Sequence, residues 1–273
     1  MDDNAHDGLI GDPALRGAPT AAFPTASVDV RPLASVLIAV LNEAENVVAV
    51  NVEVIAAHQP LGAFEIVYVD VGSTDDTAAI IERLAQTDPR VRLVRHDRRC
   101  GKSAALRTGA LASRAPWIAT MDGDGQNDPL DVAEMLKAAW AAQSDAHTPA
   151  PIVAGIRVRR NDPKSRLVAT KIANGLRSRV LGDSCPDTGC GLKVFKRDDF
   201  LLVPLFEGMH RFLPALFQRY GHPLICMPVR HRARLLGESK YTNWGRALVG
   251  VVDLLGVIWL TKRTHLPARV RQG

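Results

Sequence analysis

Between Ser35 and Leu181 short apolar runs alternate with segments of helical period, and this alternation constrains the fold more than any other feature of the chain. Ser35–Leu41, Phe64–Asp70, Val91–Arg95, Trp117–Met121 and Ile152–Ile156 read as strands. Ala44–His58, Thr74–Ala85, Lys102–Ala112, Pro129–Ala142 and the basic Lys164–Leu181 read as the helices that follow them. Ser73-Thr74-Asp75-Asp76 offers caps for the second helix, and Pro129 sits at the first turn of the fourth. Such β/α alternation predicts an α/β fold: a Rossmann-like, mostly parallel central sheet with helices on both faces. After Gly182 the rhythm changes. Lys193–Phe195 and Leu224–His231 read as strands, Arg211–Tyr220 as a helix between them, and Asn243–Leu260 as a helix that is apolar on most sides.

The 273 residues, 47% of them hydrophobic, suffice for one large α/β domain. We expect residues 1–33 to form a disordered tail, 34–242 the folded domain, and 243–273 an appended amphipathic helix and tail. The first segment is rich in Ala, Pro, Gly and Thr, and it lacks the basic start and apolar core of a secretory signal. The four cysteines, Cys100, Cys185, Cys190 and Cys226, form no C-x-x-C pair, which argues against a zinc site or a disulfide framework. The net charge of +5 gathers in the runs Arg92–Arg114, Arg157–Arg179 and Arg230–Arg246. Such runs suit nucleic acid, an anionic membrane surface or a phosphorylated substrate. No aromatic-basic interleaving supports nucleic acid.

Strand ends carry the chemistry. In open α/β sheets ligands bind beyond the carboxyl ends of the strands. The fourth strand runs directly into Asp122-Gly-Asp124-Gly-Gln126, two carboxylates one residue apart, suited to Mg²⁺ or Mn²⁺ held together with substrate phosphates. The first strand ends in Asn42-Glu43 and the second in Asp70-Val-Gly-Ser-Thr-Asp75. A carboxylate such as Asp70 can accept from ribose hydroxyls or a base N–H, and the helix after it can turn its positive end to phosphate. Three parallel strands would thus deliver polar groups to one edge.

With Gly101-Lys-Ser-Ala-Ala105, Asp187-Thr-Gly-Cys-Gly191 and Gly237-Glu-Ser-Lys240 added, this ordered set resembles the family 2 glycosyltransferases, in particular the polyprenyl-phosphate sugar transferases such as dolichol-phosphate mannosyltransferase. The resemblance runs from about Ser35 to Tyr241. It implies the GT-A fold and a set of roles. Asp122 and Asp124 would hold the metal on the donor diphosphate, with Gln126 as a further oxygen ligand. Glu43, Asp70 and Lys102 would bind the donor. Arg157 and Arg166 would meet phosphate oxygens, and Asp187 would stand at an acidic turn before the acceptor side. Arg234, Ser239 and Lys240 would close over the diphosphate or the acceptor phosphate. Two departures stand out: Val71 occupies the place of a carboxylate that the family uses on the nucleobase, and Ala39 and Leu41 replace a proline and an aromatic. On this reading Val71 lies in the nucleoside pocket, and Val71→Asp would sharpen the choice of base.

A phosphate acceptor is already anionic at neutral pH and needs cations to position it more than a base to deprotonate it. The expected activity is metal-dependent transfer, with inversion, of a sugar from a GDP- or UDP-sugar to a polyprenyl phosphate, at the cytoplasmic face of a membrane. Alternatives are a glycosyltransferase acting on a glycan or protein hydroxyl, a catalytically impaired nucleotide-sugar binder, and a nucleotidyltransferase, which would normally want a Gly-rich phosphate loop near the first strand. His210 is a candidate base or phosphate ligand. Trp244, Leu248, Val251, Val252, Leu255, Ile258 and Trp259, flanked by Arg246, Lys262 and Arg263, suit a helix lying on an anionic leaflet; packing on the core or in a homo-oligomer is the other reading.

Overall fold

The computed structural model describes residues 31–143, 145, 148–158, 175, 177–232 and 243–264. Residues 1–30 of the expected 1–33 tail, and most of the basic helix expected at Lys164–Leu181, lie outside them.

Seven strands form one sheet: β1 Ala34–Val40, β2 Phe64–Asp70, β3 Val91–Arg95, β4 Trp117–Asp122, β5 Ile152–Arg157, β6 Lys193–Lys196 and β7 Leu224–Val229. Their order is β3-β2-β1-β4-β6-β5-β7. The pairs β3/β2, β2/β1, β1/β4 and β5/β7 are parallel, whereas β6 lies antiparallel between β4 and β5. The predicted α/β class and mostly parallel sheet are therefore observed, with one reversed strand.

Strand alternation sorts the core into two layers. Val36, Ile38 and Val40 of β1, with Ile66 and Tyr68 of β2, pack against helices α1 (Val47–His58), α2 (Thr77–Thr87) and α4 (Pro129–Ala142). Leu37 and the β2 residues Val67 and Val69 face the opposite layer. That layer holds α3 (Gly101–Ala112), α5 (Arg197–Leu202), α6 (Leu213–Arg219) and α7 (Asn243–Arg263). Phe195, Phe200 and Phe217 form its centre, with Phe195 and Phe200 stacked at 4.8 Å.

Several boundaries differ from the sequence expectation, each for a local reason. Helix α1 starts at Val47, not Ala44, because Asn42 adopts a left-handed φ of 53° and Glu43–Asn46 closes as a turn. Helix α2 starts at Thr77, not Thr74, since Asp75 Oδ1 accepts from the Thr77 N–H and hydroxyl and so ends the preceding loop there. The helix expected at Arg211–Tyr220 is a 3₁₀ turn, Met209–Arg211, followed by α6. Helix α5 was not foreseen. Strand β7 stops at Val229, two residues before the expected His231, because Arg230–Arg232 leaves the sheet to lie along Gln126–Asp128.

Candidate active site

Register brings the strand ends to one level: Val40 pairs with Asp70, and Ala39 with Asp122. The loops after β1 and β2 are laced together. The Asn42 N–H donates to Ser73 Oγ at 2.9 Å, Thr74 N–H to Asn42 Oδ1 at 2.8 Å, and Glu43 N–H to Thr77 Oγ1 at 2.8 Å. The Glu43 carboxylate is oriented by Asn46 Nδ2 at 2.7 Å. Asp70 is fully buried. Its Oδ1 closes the loop by accepting from Ser73 N–H at 2.8 Å, and its Oδ2 lies 3.5 Å from Arg95 Nε with no hydrogen-bond partner. A buried acceptor in that condition is one that an incoming donor group would satisfy.

Asp122 ends β4, and its N–H is held by Asn127 Oδ1 at 2.8 Å. Its carboxylate pairs with Lys102 of the first turn of α3. Burial works to raise the Asp122 pKa, but Lys102, with weaker help from His210 and Lys193, outweighs it and holds the group below the usual carboxylate range. Asp124 Oδ1 accepts from Gln126 N–H at 3.2 Å. Behind Asp122 stands Gly191, where a Cβ would lie 2.3 Å from Asp122 Oδ2. No other residue fits there without moving the carboxylate.

Arg157 at the end of β5 and Asp187 come together as a forked ion pair: Nε and Nη2 each donate at 2.8 Å, and the Arg157 N–H adds a third bond at 3.2 Å. The 187–191 turn so anchored is braced from below by Lys193, a buried lysine whose ammonium donates to the carbonyls of Thr188 and Cys190. Burial lowers its pKa, Lys102 adds to that, and Asp122 opposes it. Sequence reasoning missed Lys193. Its signal was a cation opening the apolar run Lys193-Val194-Phe195.

His210 Nδ1 lies 3.0 Å from Ser103 Oγ, next to Lys102. Burial, then Lys102, Lys193 and Arg211, push its pKa well below 6.5, so the ring is neutral at pH 7. Val71 is the clear correction. It is 7% exposed and belongs to the same core cluster as Val69 and Leu37, so its side chain is largely spent on packing. Ala39 packs against the same layer. Arg166, Arg234, Ser239 and Lys240 lie outside the described residues.

Among the described residues no three His, Cys, Asp or Glu side chains converge on a metal position. Asp122, Asp124 and the Gln126 amide are hard oxygen donors on one short turn. Such a partial set fits a cation whose remaining ligands come from donor phosphates.

A mostly parallel sheet with an Asp-x-Asp turn at the end of its fourth strand defines the GT-A class of glycosyltransferase folds. Solved structures agree. A glucosyl-3-phosphoglycerate synthase from Mycobacterium tuberculosis, in complex with Mn²⁺, UDP and glucosyl-3-phosphoglycerate, matches with a TM-score of 0.59 and 21% identity, covering 84% of this chain and 80% of that one. A mannosyltransferase from Pyrobaculum calidifontis, in complex with GDP-mannose and Mn²⁺, matches with a TM-score of 0.58 and 18% identity, covering 88% and 67%.

The chain belongs to glycosyl transferase family 2, whose profile matches residues 35–201. It is 33% identical over 212 residues to a dodecaprenyl-phosphate galacturonate synthase of Rhizobium johnstonii, covering 75% of this chain and 60% of that protein. It is 32% identical over 239 residues to an undecaprenyl-phosphate 4-deoxy-4-formamido-L-arabinose transferase of Edwardsiella ictaluri, covering 86% and 69%. The matched region thus spans less than two thirds of the first of these relatives and slightly more than two thirds of the second.

Proposed function

We propose that the protein transfers one sugar, with inversion, from a nucleotide diphosphate donor to a polyprenyl phosphate. The observation that carries this reading is the contact of Gly191 with Asp122. The turn anchored by Arg157 and Asp187 backs onto the Asp122 carboxylate, which supports a donor diphosphate and an acceptor sharing one site. The polyprenyl-phosphate relatives support the acceptor class.

Each residue then has a physical task. The laced 42–46 and 70–77 loops form a floor for the nucleoside, with Asp70 Oδ2 and Glu43 as acceptors. Asp122, Asp124 and Gln126 would hold Mg²⁺ or Mn²⁺. When bound, that ion neutralises charge that develops on the leaving diphosphate. Lys102, paired with Asp122, would also meet the donor diphosphate, and Arg157, fixed by Asp187, would supply a cation on the acceptor side. Arg166, Arg234, Ser239 and Lys240 are assigned to phosphate by the resemblance alone. The acceptor phosphate attacks the anomeric carbon from the face opposite the diphosphate, which inverts the centre. An assay with Mn²⁺ or Mg²⁺, a panel of GDP- and UDP-sugars and a short polyprenyl phosphate should yield free nucleoside diphosphate and lipid-linked sugar together. Equal turnover on free polyprenol would instead assign a hydroxyl acceptor.

The reading extends to a membrane surface, at the cytoplasmic face. No helix among the described residues is long and apolar enough to cross a bilayer. One side of α7 packs into the core through Val257, Leu254 and Leu260, and Asp253 pairs with Arg211 at 3.0 Å. The other side leaves Val251, Val252, Leu255 and Trp259 more than half exposed, with Lys262 and Arg263 following. An apolar stripe with an aromatic and adjacent cations suits the headgroup zone of an anionic leaflet. Leu255→Ser combined with Trp259→Ser should abolish flotation with anionic liposomes while leaving the melting temperature unchanged. Unaltered flotation, or a change of oligomeric state in its place, would reassign the stripe to another contact.

A further inference from the structure

The turn that carries Asp122, Asp124 and Gln126 is pinned from outside by Arg230–Arg232, a segment about a hundred residues away in sequence. Arg232 is the centre of this contact. Its N–H donates to the Gln126 carbonyl at 2.9 Å, and its own carbonyl accepts from Gln126 Nε2 at 3.3 Å. Its guanidinium spans two carboxylates: Nη1 meets Glu53 Oε2 of α1 at 2.6 Å, and Nη2 meets Asp128 Oδ2 at 3.0 Å. Asp128 is buried and is also the N-cap of α4, accepting from Leu130 N–H at 3.1 Å. Between them His231 forms an antiparallel bridge with Asn127, whose side chain holds the Asp122 N–H.

Arg230 provides a natural comparison. Its Nη1 reaches Asp128 Oδ2 at 3.1 Å, and its Nε and Nη2 hold Asp131 Oδ1 at 3.0 and 2.9 Å. It shares the Asp128 anchor with Arg232, but its remaining bonds go to Asp131 and not to Gln126.

We infer that Arg232 is a positioning residue for the metal side of the site. With the guanidinium docked between Glu53 and Asp128, the Arg232 backbone takes up both the carbonyl and the side-chain N–H of Gln126. An amide whose nitrogen is engaged in this way has its oxygen turned elsewhere and fixed in rotamer, so Gln126 presents a defined oxygen on the turn it shares with Asp122 and Asp124. The inference rests on the proposed role of Gln126 as an oxygen ligand. It assigns to Arg232 a duty that its charge alone does not suggest, since the effect passes through its main chain. Partners that orient ligands in this way commonly change metal affinity by about 10–100-fold when removed.

The test is Mn²⁺ affinity, measured by calorimetry on the full chain in the presence of GDP or UDP. Arg232→Ala should weaken it about tenfold, at the low end of the range for such partners. Arg230→Ala should leave it unchanged, although both variants lose an ion pair to Asp128 and should melt at similarly lowered temperatures. Gln126→Ala should weaken Mn²⁺ to the same degree as Arg232→Ala, and the double variant should be no weaker than either single one, as expected when two residues act through one interaction. Glu53→Gln, which disturbs only the outer partner, should act in the same direction with a smaller effect, and it carries the test if Arg232→Ala does not fold. Equal effects from Arg230→Ala and Arg232→Ala, or a full effect of Arg232→Ala in the Gln126→Ala background, would overturn the inference while leaving the metal site standing. Nucleotide binding by the unmodified protein that ignores Mn²⁺ would overturn both.

Discussion

Asp122→Asn is expected to weaken Mn²⁺-dependent nucleoside diphosphate binding by about 10–100-fold and turnover by about 100–1000-fold. The carboxylate is the one charged group that touches Lys102, backs onto Gly191 and opens the Asp-x-Asp turn. Replacing it by an amide of the same shape removes one negative charge from a set of only two carboxylates on that turn. The substitution also leaves Lys102 facing a neutral group, so a non-specific rise in affinity for the anionic nucleotide without metal should accompany the loss. Asp124→Asn should act in the same direction. Calorimetry with and without Mn²⁺ separates the two contributions. If both variants kept undiminished metal-dependent binding, the cation would have to lie elsewhere.

Val71→Asp should destabilise the fold by about 3–5 kcal/mol at pH 7, the range for an uncompensated buried charge. Val71 is buried among Leu37, Val67 and Val69, so a carboxylate there meets apolar neighbours and little water. Burial would raise the pKa of the new group above its unfolded value. Its folded form therefore binds protons more readily than its unfolded form, so the charge-dependent deficit should be nearly absent at or below the unfolded pKa, grow as pH rises from there through the folded one, and be full above it. Urea unfolding of both proteins at pH 4 and pH 7 would show this. A variant of unchanged stability with an altered donor ranking would return position 71 to the nucleoside pocket.

That second case marks where sequence reading stopped. The placement of Asp70 and Asp122 at strand ends was legible because a short apolar run followed by carboxylates admits few other interpretations. The direction of β6 was not, since Lys193–Lys196 carries no information about which neighbour it joins. Val71 was read by analogy with a motif, yet which way a side chain points just past a strand is set by the turn, and here Gly72 at a φ of 86° turns the chain. Arg157 and Asp187 were both identified as charged site residues, while their pairing with each other depends on contact across 30 residues, for which spacing gives no signal. Lys193 was hidden for a related reason: a buried ammonium that spends its protons on main-chain carbonyls has no acidic partner in the sequence to announce it.

The reversed strand has a consequence for how the molecule is made. Strands β1 to β4 can pair with one another as soon as residue 122 has left the ribosome, because each finds a neighbour among them. β5 cannot join, since both strands that flank it, β6 and β7, are still to be synthesised. Until Lys193–Lys196 inserts, the edge of β4 is an open row of amide and carbonyl groups, the kind of edge that invites pairing with another chain. Asp122 therefore spends part of the protein's birth at an exposed border, and the pocket it serves closes only when late-made residues return to the middle of an early-made sheet. Substitutions in Lys193–Lys196 should accordingly be felt first as poor yield and inclusion-body formation during expression, before any purified protein is at hand to assay.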